Sequence, residues 1–431
     1  MHLWMFFGQV PNSGNVFNVP KYQSLKIGEG TGTFTLTGTS TEIKLTYPDG
    51  TKASDYSALV AQITPEGANG TYTDIDSRST DANGWSVTSN LEEAKVVVTA
   101  GSGKALLRVT LIQANGNEVM ASRIVEKPNY TVSEDGKTYT VYNADGLIEW
   151  ANAVNALVDQ YLDLNCILAD DIDMQGKEFP AICKGNGGYD WYTGTFNGNG
   201  HTISNLTITI SNDASVKDYI GFIRMGDGCT VQDVTFKNLN VTTSGTNVGG
   251  ILGQAGGSTV VKNCHVIGGT IKANGGAMGG IIGFITSGDV EVYACSSSAQ
   301  IEGTSYQGQG GIVGDNGGTI RPAGGKIAAC YATGSFSNPS SQYVGAIAGG
   351  INYGEITACY WDMDDVTYGY YKKTDSGKEG VSEGKISGGN WDAAITAMNQ
   401  ALATANIKDY TWIKNTGDDA ENHPLIIQVA D

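Results

Sequence analysis

Five short segments carry the pattern that decides the fold of this chain. They read Ile220-Gly-Phe-Ile223, Gly249-Gly-Ile-Leu-Gly253, Gly279-Gly-Ile-Ile-Gly283, Gly310-Gly-Ile-Val-Gly314 and Gly345-Ala-Ile-Ala-Gly349. A second motif follows each in register: Val231-Gln-Asp-Val234, Val261-Lys-Asn-Cys264, Val292-Tyr-Ala-Cys295, Ile327-Ala-Ala-Cys330 and Ile356-Thr-Ala-Cys359. Two motifs that recur together about every 30 residues predict a repeat architecture.

Each repeat holds short β-rich runs divided by Gly, Asn and Ser, which is typical of strands and turns. A unit of this size cannot bury its apolar face alone, but stacked units can. The repeat therefore predicts a parallel β-helix (solenoid) in which equivalent residues stack about 4.8 Å apart. The chain has 60 glycines, and we expect those in the repeats where a coil turns at positive φ or where a neighbouring backbone leaves no room for a Cβ.

The position that ends the second motif, called here the cysteine slot, is predicted to face the interior. It holds Val234 and four cysteines, and we align Leu206 with it through Ile203-Ser-Asn-Leu206. A buried free cysteine serves as a medium-sized apolar residue. The seven cysteines include no C-x-x-C pair, which disfavours zinc and thioredoxin-like sites. We predict an interior column of free thiols and no metal or cofactor.

The chain is predicted to be all-β with three parts. Residues 1–130 lack the repeat and carry turn sequences such as Pro48-Asp-Gly50 and Asn115-Gly116 between short strands. This is typical of an antiparallel β-sandwich, with a first strand at residues 1–7. Residues 131–385 form the parallel β-helix and residues 386–431 a C-terminal cap of one helix and short strands. We expect helices capped by Asp145 and Asn390, each covering an end of the solenoid or packing along its side.

Charge and hydropathy exclude two classes of partner. The formal net charge is −18, which argues against nucleic acid because phosphate neutralisation needs clustered Lys and Arg. No apolar run approaches the roughly 20 residues of a membrane-spanning helix. No signal peptide is present in this chain, which does not argue for a cytoplasmic location.

The repeats and the segment Gly194-Thr-Phe-Asn-Gly-Asn-Gly-His-Thr-Ile-Ser-Asn-Leu206 together resemble the GLUG-motif surface proteins. Leu168-Ala-Asp-Asp-Ile-Asp-Met174 resembles the approach strand of that family, and the resemblance covers roughly residues 138–425. The first repeat departs from the pattern, with Arg224 in place of Gly, which implies a wider corner. The N-terminal part loosely resembles immunoglobulin-like or fimbrillin-like modules. The resemblance implies a secreted or outer-membrane-anchored adhesin of Gram-negative anaerobes, and it supplies no catalytic residues.

Two aromatic groups are the best candidates for ligand binding. One lies in a Gly-rich loop and the other beyond the last repeat: Tyr189, Trp191 and Tyr192, then Trp361, Tyr368, Tyr370 and Tyr371. Exposed rings stack on sugars or anchor protein partners. The alternative is that they pack beneath the capping loops.

Other candidate sites are weaker. Two groups of carboxylates could bind calcium, but solvated turns account for them better: Asp170, Asp171 and Asp173, then Asp362, Asp364 and Asp365. Acidic residues within the repeats, Glu291 and Glu355 among them, fall at unmatched places, and His265 is expected on the surface. We therefore expect a non-enzymatic adhesin that binds host or dietary glycan or extracellular protein. A carbohydrate-active β-helix enzyme, a polysaccharide lyase or glycoside hydrolase, is the alternative, from fold analogy alone.

Overall fold

The computed structural model describes residues 24–36, 40–66, 84–101, 103–157, 162–183, 190–210, 217–286, 289–303, 307–317, 324–338, 343–364, 366–372 and 383–430. The chain divides into two compact units, residues 1–127 and 128–431. Within these described ranges, no helix has the length and apolar character needed to cross a membrane.

The first unit is a β-sandwich of two four-stranded sheets, in the orders β1-β3-β6-β5 and β2-β8-β7-β4. Its strands are β1 (Lys26–Ile27), β2 (Phe34–Thr35), β3 (Ser40–Thr46), β4 (Ala58–Pro65), β5 (Ser86–Asn90), β6 (Lys95–Thr99), β7 (Lys104–Ile112) and β8 (Glu118–Glu126). Alternate residues point inward, and Trp85 is fully buried among them. The pairs are antiparallel except β2 with β8. The predicted sandwich is confirmed, and the strand expected at residues 1–7 lies outside the described ranges.

The second unit contains the repeats. Its elements are β9 (Tyr130–Val132), β10 (Thr138–Val141), α1 (Ala144–Asn155), β11 (Asn165–Leu168), β12 (Ile172–Asp173), β13 (Thr195–Asn197), β14 (Thr202–Ser204), β15 (Thr207–Thr209), β16 (Ile223–Asp227), β17 (Thr230–Thr242), β18 (Thr246–Gly249), β19 (Leu252–Gly256), β20 (Val260–Ala273), β21 (Gly275–Gly279), β22 (Ile282–Ile285), β23 (Glu291–Tyr293), β24 (Ser296–Ser297), β25 (Gln300–Gly303), β26 (Gly308–Gly310), β27 (Val313–Asn316), β28 (Lys326–Ala328), β29 (Tyr331–Ala332), β30 (Ser335–Phe336), β31 (Val344–Gly345), β32 (Ala348–Ile351), β33 (Glu355–Thr357), β34 (Cys359–Trp361), β35 (Tyr370–Lys372), β36 (Glu383–Lys385), α2 (Asp392–Thr404), β37 (Tyr410–Lys414) and β38 (Leu425–Val429).

The repeats wind into a parallel β-helix, as predicted. One sheet stacks β16-β19-β22-β27-β32-β35, a second stacks β18-β21-β26-β31, and a third follows the long bent strands β17 and β20. The pairing of β17 with β20 is parallel and aligns Val231 with Val261 and Val234 with Cys264. Each repeat is therefore one coil, and equivalent residues form columns along the axis.

Glycine is required at both ends of the G-G-I-x-G motif because backbones meet there. A Cβ added to the first glycine would lie close to the carbonyl oxygen three residues later: 2.1 Å for Gly249, 2.0 Å for Gly279, 2.0 Å for Gly310 and 2.2 Å for Gly345. A Cβ on the last glycine would strike backbone of the preceding coil, as at Gly314, where Met278 N is 2.4 Å away. The close-packing explanation for the glycine content is therefore correct at these motifs.

Arg224 takes the place of that last glycine in the first coil, where Ile223 aligns with Leu252. Its side chain is buried, and its guanidinium donates to the carbonyl oxygens of Cys183 and, at 3.1 Å, Asp218. We attribute this accommodation to the place of Arg224 at the beginning of the stack, because among the described residues the sheet β18-β21-β26-β31 has no strand before β18.

All seven cysteines are free and buried, and the slot is a column of Val234, Cys264, Cys295, Cys330 and Cys359. The residue before each of the four cysteines of the slot has a positive φ between 48° and 53°. Each thiol donates to the carbonyl two residues earlier, at 3.2 to 3.4 Å. Cysteine therefore closes each corner with a weak hydrogen bond as well as filling the interior.

The alignment of Leu206 with this slot is wrong. Ile203 pairs with Phe236, and Thr207 pairs with Asn240, so Leu206 aligns with Leu239 at the next corner. In the first coil, the turn around Gly198 occupies the place of the slot. The two corners look alike in sequence because both use a left-handed residue before an apolar one, as at Asn205 and Asn263.

The two helices have different roles. The N-cap of α1 is Asn143, whose Oδ1 accepts from Gly146 N at 3.1 Å, whereas Asp145 lies in the first turn. Trp150 of α1 packs against the interior aromatics Phe196 and Phe222, so α1 covers the first coils. Asn390 Oδ1 accepts from Asp392 N at 3.2 Å, although α2 begins after Trp391.

The C-terminal segment, residues 386–430, packs along the side of the solenoid. Met398, Leu402 and Trp412 are buried against the side wall, together with Ala329 and Tyr331. Trp412 Nε1 donates to Ala329 O at 2.9 Å. Of the two placements expected, the lateral one is observed for α2.

We expect Cys330→Ala to lower the free energy of unfolding by about 1 to 3 kcal/mol, because it leaves a small cavity and removes a thiol donor. Burial raises the pKa of Cys330 well above its ordinary value, so the native thiol should resist alkylation. Urea unfolding and intact-mass measurement after iodoacetamide treatment test both points. Rapid alkylation of the native protein at Cys264, Cys295, Cys330 and Cys359 would contradict an interior column.

Candidate functional site

The predicted aromatic residues do not form one surface. Trp191 is half-buried near Asp227 and Gly256, at the first coils, whereas Tyr370 pairs with Ala348 in the last. Tyr368 is 71% exposed. Tyr189 and the side chain of Tyr371 lie outside the described residues.

Two of the predicted binding residues are buried, so they cannot stack on a ligand. The Tyr192 ring contacts Trp150 edge-on, and its hydroxyl donates to Leu164 O at 3.1 Å. Trp361 is 5% exposed, and its Nε1 donates to Val366 O at 3.4 Å. Both lie near an end of the stack, where we infer that large side chains fill space which no further coil occupies. The expectation of exposed rings is wrong at these two positions.

A groove runs between α2 and the side wall of the solenoid and encloses about 440 Å³. One wall is an alanine face formed by Ala397 and Ala401 of α2 and by its C-cap Ala405, with Gln400 and Thr404 beside it. The other wall comes from three successive coils: Tyr293, Lys326, Ile327, Ala328, Glu355, Thr357 and Ala358. Met398 and Leu402, on the neighbouring face of α2, are buried against the solenoid wall and fix this helix, so the groove is preformed.

A column of alternating charge lies at this groove. Glu291 pairs with Lys326 and Lys326 with Glu355 in the parallel register, and Lys326 Nζ lies 3.5 Å from Glu291 Oε1. The expectation that the acidic residues of the repeats share no position is therefore wrong for Glu291 and Glu355. The sequence does not reveal their shared position, because the repeat between them has Lys326 there in place of an acidic residue.

Tyr293 forms the most buried polar part of the groove. Its ring is 6% exposed, and burial raises the pKa of its hydroxyl, with further contributions from the charge of Glu291 and a hydrogen bond to it. The phenol therefore stays protonated at neutral pH and acts as a donor.

A buried polar network lies on the same wall beneath the C-terminal segment. His265 Nδ1 lies 2.9 Å from Ser296 Oγ, and its Nε2 lies 2.9 Å from Asn263 Oδ1. Asn263 Nδ2 and Tyr410 OH both donate to Asp233 Oδ1 at 2.8 Å. His265 is 6% exposed, so the expectation of a surface histidine is wrong.

This network resembles a serine–histidine catalytic pair in composition only. Ser296 is 1% exposed, and the Trp412 ring centroid lies 5.7 Å from that of His265. A hydrolytic serine must reach its substrate, which this burial prevents. Its geometry instead fastens the C-terminal segment to the solenoid.

Two of the carboxylates weighed for calcium, Asp171 and Asp173, make hydrogen bonds within a turn and to the next coil. Asp173 Oδ1 accepts from Asn205 Nδ2 and Gln175 N, and Asp171 Oδ1 accepts from Thr202 N at 2.9 Å. Among the residues the structure describes, no group of three His, Cys, Asp or Glu side chains is placed to hold a metal ion. Asp365 lies outside those residues.

A polar face that sequence reasoning did not single out follows the third sheet. One column of this face contains Thr207, Asn240, Thr270, Gln300 and Ser335, in register across five coils. The residues next to them, such as Val241 and Ile271, point into the core. The alternation of polar and apolar residues in each repeat was the signal that could have revealed it.

No family model matches the chain. Over 210 residues it is 30% identical to Halomucin from Haloquadratum walsbyi, a match that covers 47% of this chain and 2% of that protein. Among solved structures, an IgA1 Protease shares 15% identity with a TM-score of 0.31, covering 77% of this chain and 28% of that one. The chain thus spans only a small part of each, and the structural similarity is too low to support an argument.

Proposed function

We propose that this chain is a non-enzymatic adhesin, located extracellularly or at the cell surface, that binds host or dietary glycan or extracellular protein. The observation that carries the proposal is the preformed groove between α2 and the solenoid. Its volume lies within the range of about 300 to 1,000 Å³ that is common for ligand sites, and it combines apolar walls with a few polar groups.

The remaining support is indirect. Stacked coils make a rigid body that can present a site on one side, and Halomucin is a mucin by name, which favours an extracellular setting. The resemblance to GLUG-motif proteins points to the same class, and outer-membrane anchoring is part of this proposal.

One observation favours the alternative of a carbohydrate-active enzyme. Glu291 and Glu355 stand two coils apart in one column, which places their backbones about 9.6 Å apart. Carboxylate groups of inverting glycosidases lie about 6.5 to 9.5 Å apart, with space for water between them. Here Lys326 occupies the intervening position, which favours binding over hydrolysis.

A retention assay separates the two functions. The full chain is applied to immobilised mucin, cellulose, chitin, laminarin and collagen in 0.15 M and 1 M salt, and soluble products are assayed in parallel. We expect saturable retention without product, and retention that persists at high salt because the groove offers few net charges. Trp191→Ala should leave retention unchanged if the groove is the site, since Trp191 lies at the first coils.

Two results would contradict the adhesin. Release of oligosaccharides that Glu355→Gln abolishes would establish the enzyme instead. Failure of every surface to retain the chain would remove the basis for an adhesin of glycans or matrix protein.

A further inference from the structure

We propose that the groove between α2 and the solenoid wall binds a segment of neutral glycan about two sugar rings long. This inference rests on the proposed function, because it names the ligand class and the residues of the same site. It is carried by three properties of the groove: its charge pattern, its small apolar residues and the mostly uncharged hydrogen-bonding groups along its rims.

The charges of the groove disfavour an anionic ligand. Lys326 is flanked by Glu291 and Glu355 in the same column, and its Nζ already lies 3.5 Å from Glu291 Oε1. The column therefore carries a net negative charge within a chain of net charge −18. A uronic acid or sialic acid would meet like charges here, whereas a neutral sugar would not.

The shape of the walls suits the faces of sugar rings. Ala397 and Ala401 of α2 and Ala405, its C-cap, recur every four residues, so their methyl groups form one strip. Ala328 lies at the base of the opposite wall and is 8% exposed, and Ala358 is buried beside it. A pyranose ring presents C–H groups on its faces, and the alanine strip beside the groove can contact one such face without a large side chain in the way.

The polar groups are placed where hydroxyl groups of a sugar would emerge. Thr357 and Gln400 are exposed, and they lie on opposite walls. Thr404 continues the α2 rim one turn further along, and Glu355 adds a carboxylate acceptor. Hydroxyl and amide groups both donate and accept, which matches the mixed hydrogen bonding of sugar hydroxyls. The volume of about 440 Å³ leaves room for a disaccharide.

The change in sequence along the repeats supports a specialised wall. The left-handed corner residue is Asp233 and Asn263 in the earlier coils but Ala294, Ala329 and Ala358 in the later ones. Asparagine and aspartate adopt this conformation more readily than alanine. Alanine at these three corners is therefore conformationally unfavourable, but its small side chain leaves an even surface on the wall. This surface packs beneath the C-terminal segment and reaches the groove at Ala358.

The test uses the full chain and neutral disaccharides as probes: cellobiose, lactose, maltose and N,N′-diacetylchitobiose, with a hyaluronan disaccharide as the anionic comparison. Saturation-transfer NMR and calorimetry measure binding. We expect at least one neutral probe to bind saturably and the anionic probe to bind at least about tenfold more weakly.

Variants locate the site. Ala401→Tyr places a ring in the groove and should weaken binding at least about tenfold. Ala403→Tyr is the matched control, because Ala403 is exposed on the same helix outside the groove, and it should bind like the wild type. Thr357→Val keeps the shape and removes one hydroxyl group, so it should weaken binding without loss of fold, as checked by thermal melting.

The outcomes are distinct. Equal disaccharide binding by Ala401→Tyr and the wild type would show that the groove is not the binding site. If both proteins are still retained on polysaccharide, the adhesin proposal stands and another surface, such as the polar face of the third sheet, is its site. Saturable binding of the anionic probe alone would contradict the proposal that the ligand is a neutral glycan. Absence of binding to every disaccharide would overturn this inference, and the retention assay then decides separately whether the adhesin also fails.

Discussion

Gly310→Ala is expected to destabilise the solenoid by roughly 3 kcal/mol or more, at or beyond the upper end for overpacking. A Cβ at this position would lie 2.0 Å from Val313 O and 2.8 Å from Ala348 Cα. Both atoms belong to backbone, so no side-chain rotation can relieve the contact. The same contact recurs at Gly249, Gly279 and Gly345, so the neighbouring coils are packed equally closely. Relief of the strain at residue 310 would therefore require the coils to move apart.

Gly384→Ala is the matched control, because its added Cβ would find only the ring of Tyr360, at 3.4 Å. We expect it to change the free energy of unfolding by no more than about 0.5 kcal/mol. Urea unfolding followed by tryptophan fluorescence suits this comparison, because five of the seven tryptophans lie in the second unit. Equal unfolding curves for the two variants would refute the packing explanation, whereas insolubility of Gly310→Ala alone would agree with it.

The repeat was predictable because its chemistry is local and recurs. Glycine at Gly249 and its equivalents, and cysteine after a left-handed residue, each mark a corner that every coil must make. Leu206 was misaligned for the same reason, because Asn205 forms a left-handed corner of the same local type as Asn263 at a different place in the coil. Local sequence identifies the kind of corner, and only the pairing register identifies which corner it is.

The candidate site was much less predictable because its parts are distant in sequence. Glu291, Lys326 and Glu355 become neighbours only when coils stack, and α2 reaches them from the C-terminal segment. Two signals were available: Ala397, Ala401 and Ala405 at helical spacing, and alanine at left-handed corners where other copies have Asp or Asn. Aromatic residues were a poor guide, because Tyr192 and Trp361 serve the interior.

We expect acid to lower the free energy of unfolding by weakening the packing of the C-terminal segment against the solenoid. Burial lowers the pKa of His423 to about 4 and that of His265 well below its ordinary value. Below about pH 6.5 the unfolded state therefore binds protons that the folded state does not. Stability is retained above that pH and falls as the pH drops, and for His423 the loss reaches roughly 3 kcal/mol near pH 4.

The groups around His423 allow this effect to be isolated. Its Nδ1 lies 2.6 Å from Tyr331 OH, and its ring centroid lies 5.3 Å from that of His265. Asp419 has a pKa lowered mainly by a hydrogen bond from Asn415, so its contribution is lost only at still lower pH. The window between about pH 6.5 and pH 4.5 therefore reports mainly on the two histidines.

Urea unfolding at pH 7.5, 6.5, 5.5 and 4.5, with hydrogen exchange of residues 391–430, measures the effect. His423→Asn keeps a donor for Tyr331 but does not titrate, so it should lose most of the dependence on pH that His423 causes. His201→Asn is the control, because His201 is partly exposed beside Asp171, and it should follow the wild-type curve. Since Trp412 and α2 share the buried wall with His265 and Tyr331, the protection factors of the α2 amides, which correct for the slower intrinsic exchange in acid, should fall as the pH falls. A wild-type stability that is constant from pH 7.5 to 4.5, or an unchanged slope in His423→Asn, would show that these histidines do not control attachment of the segment.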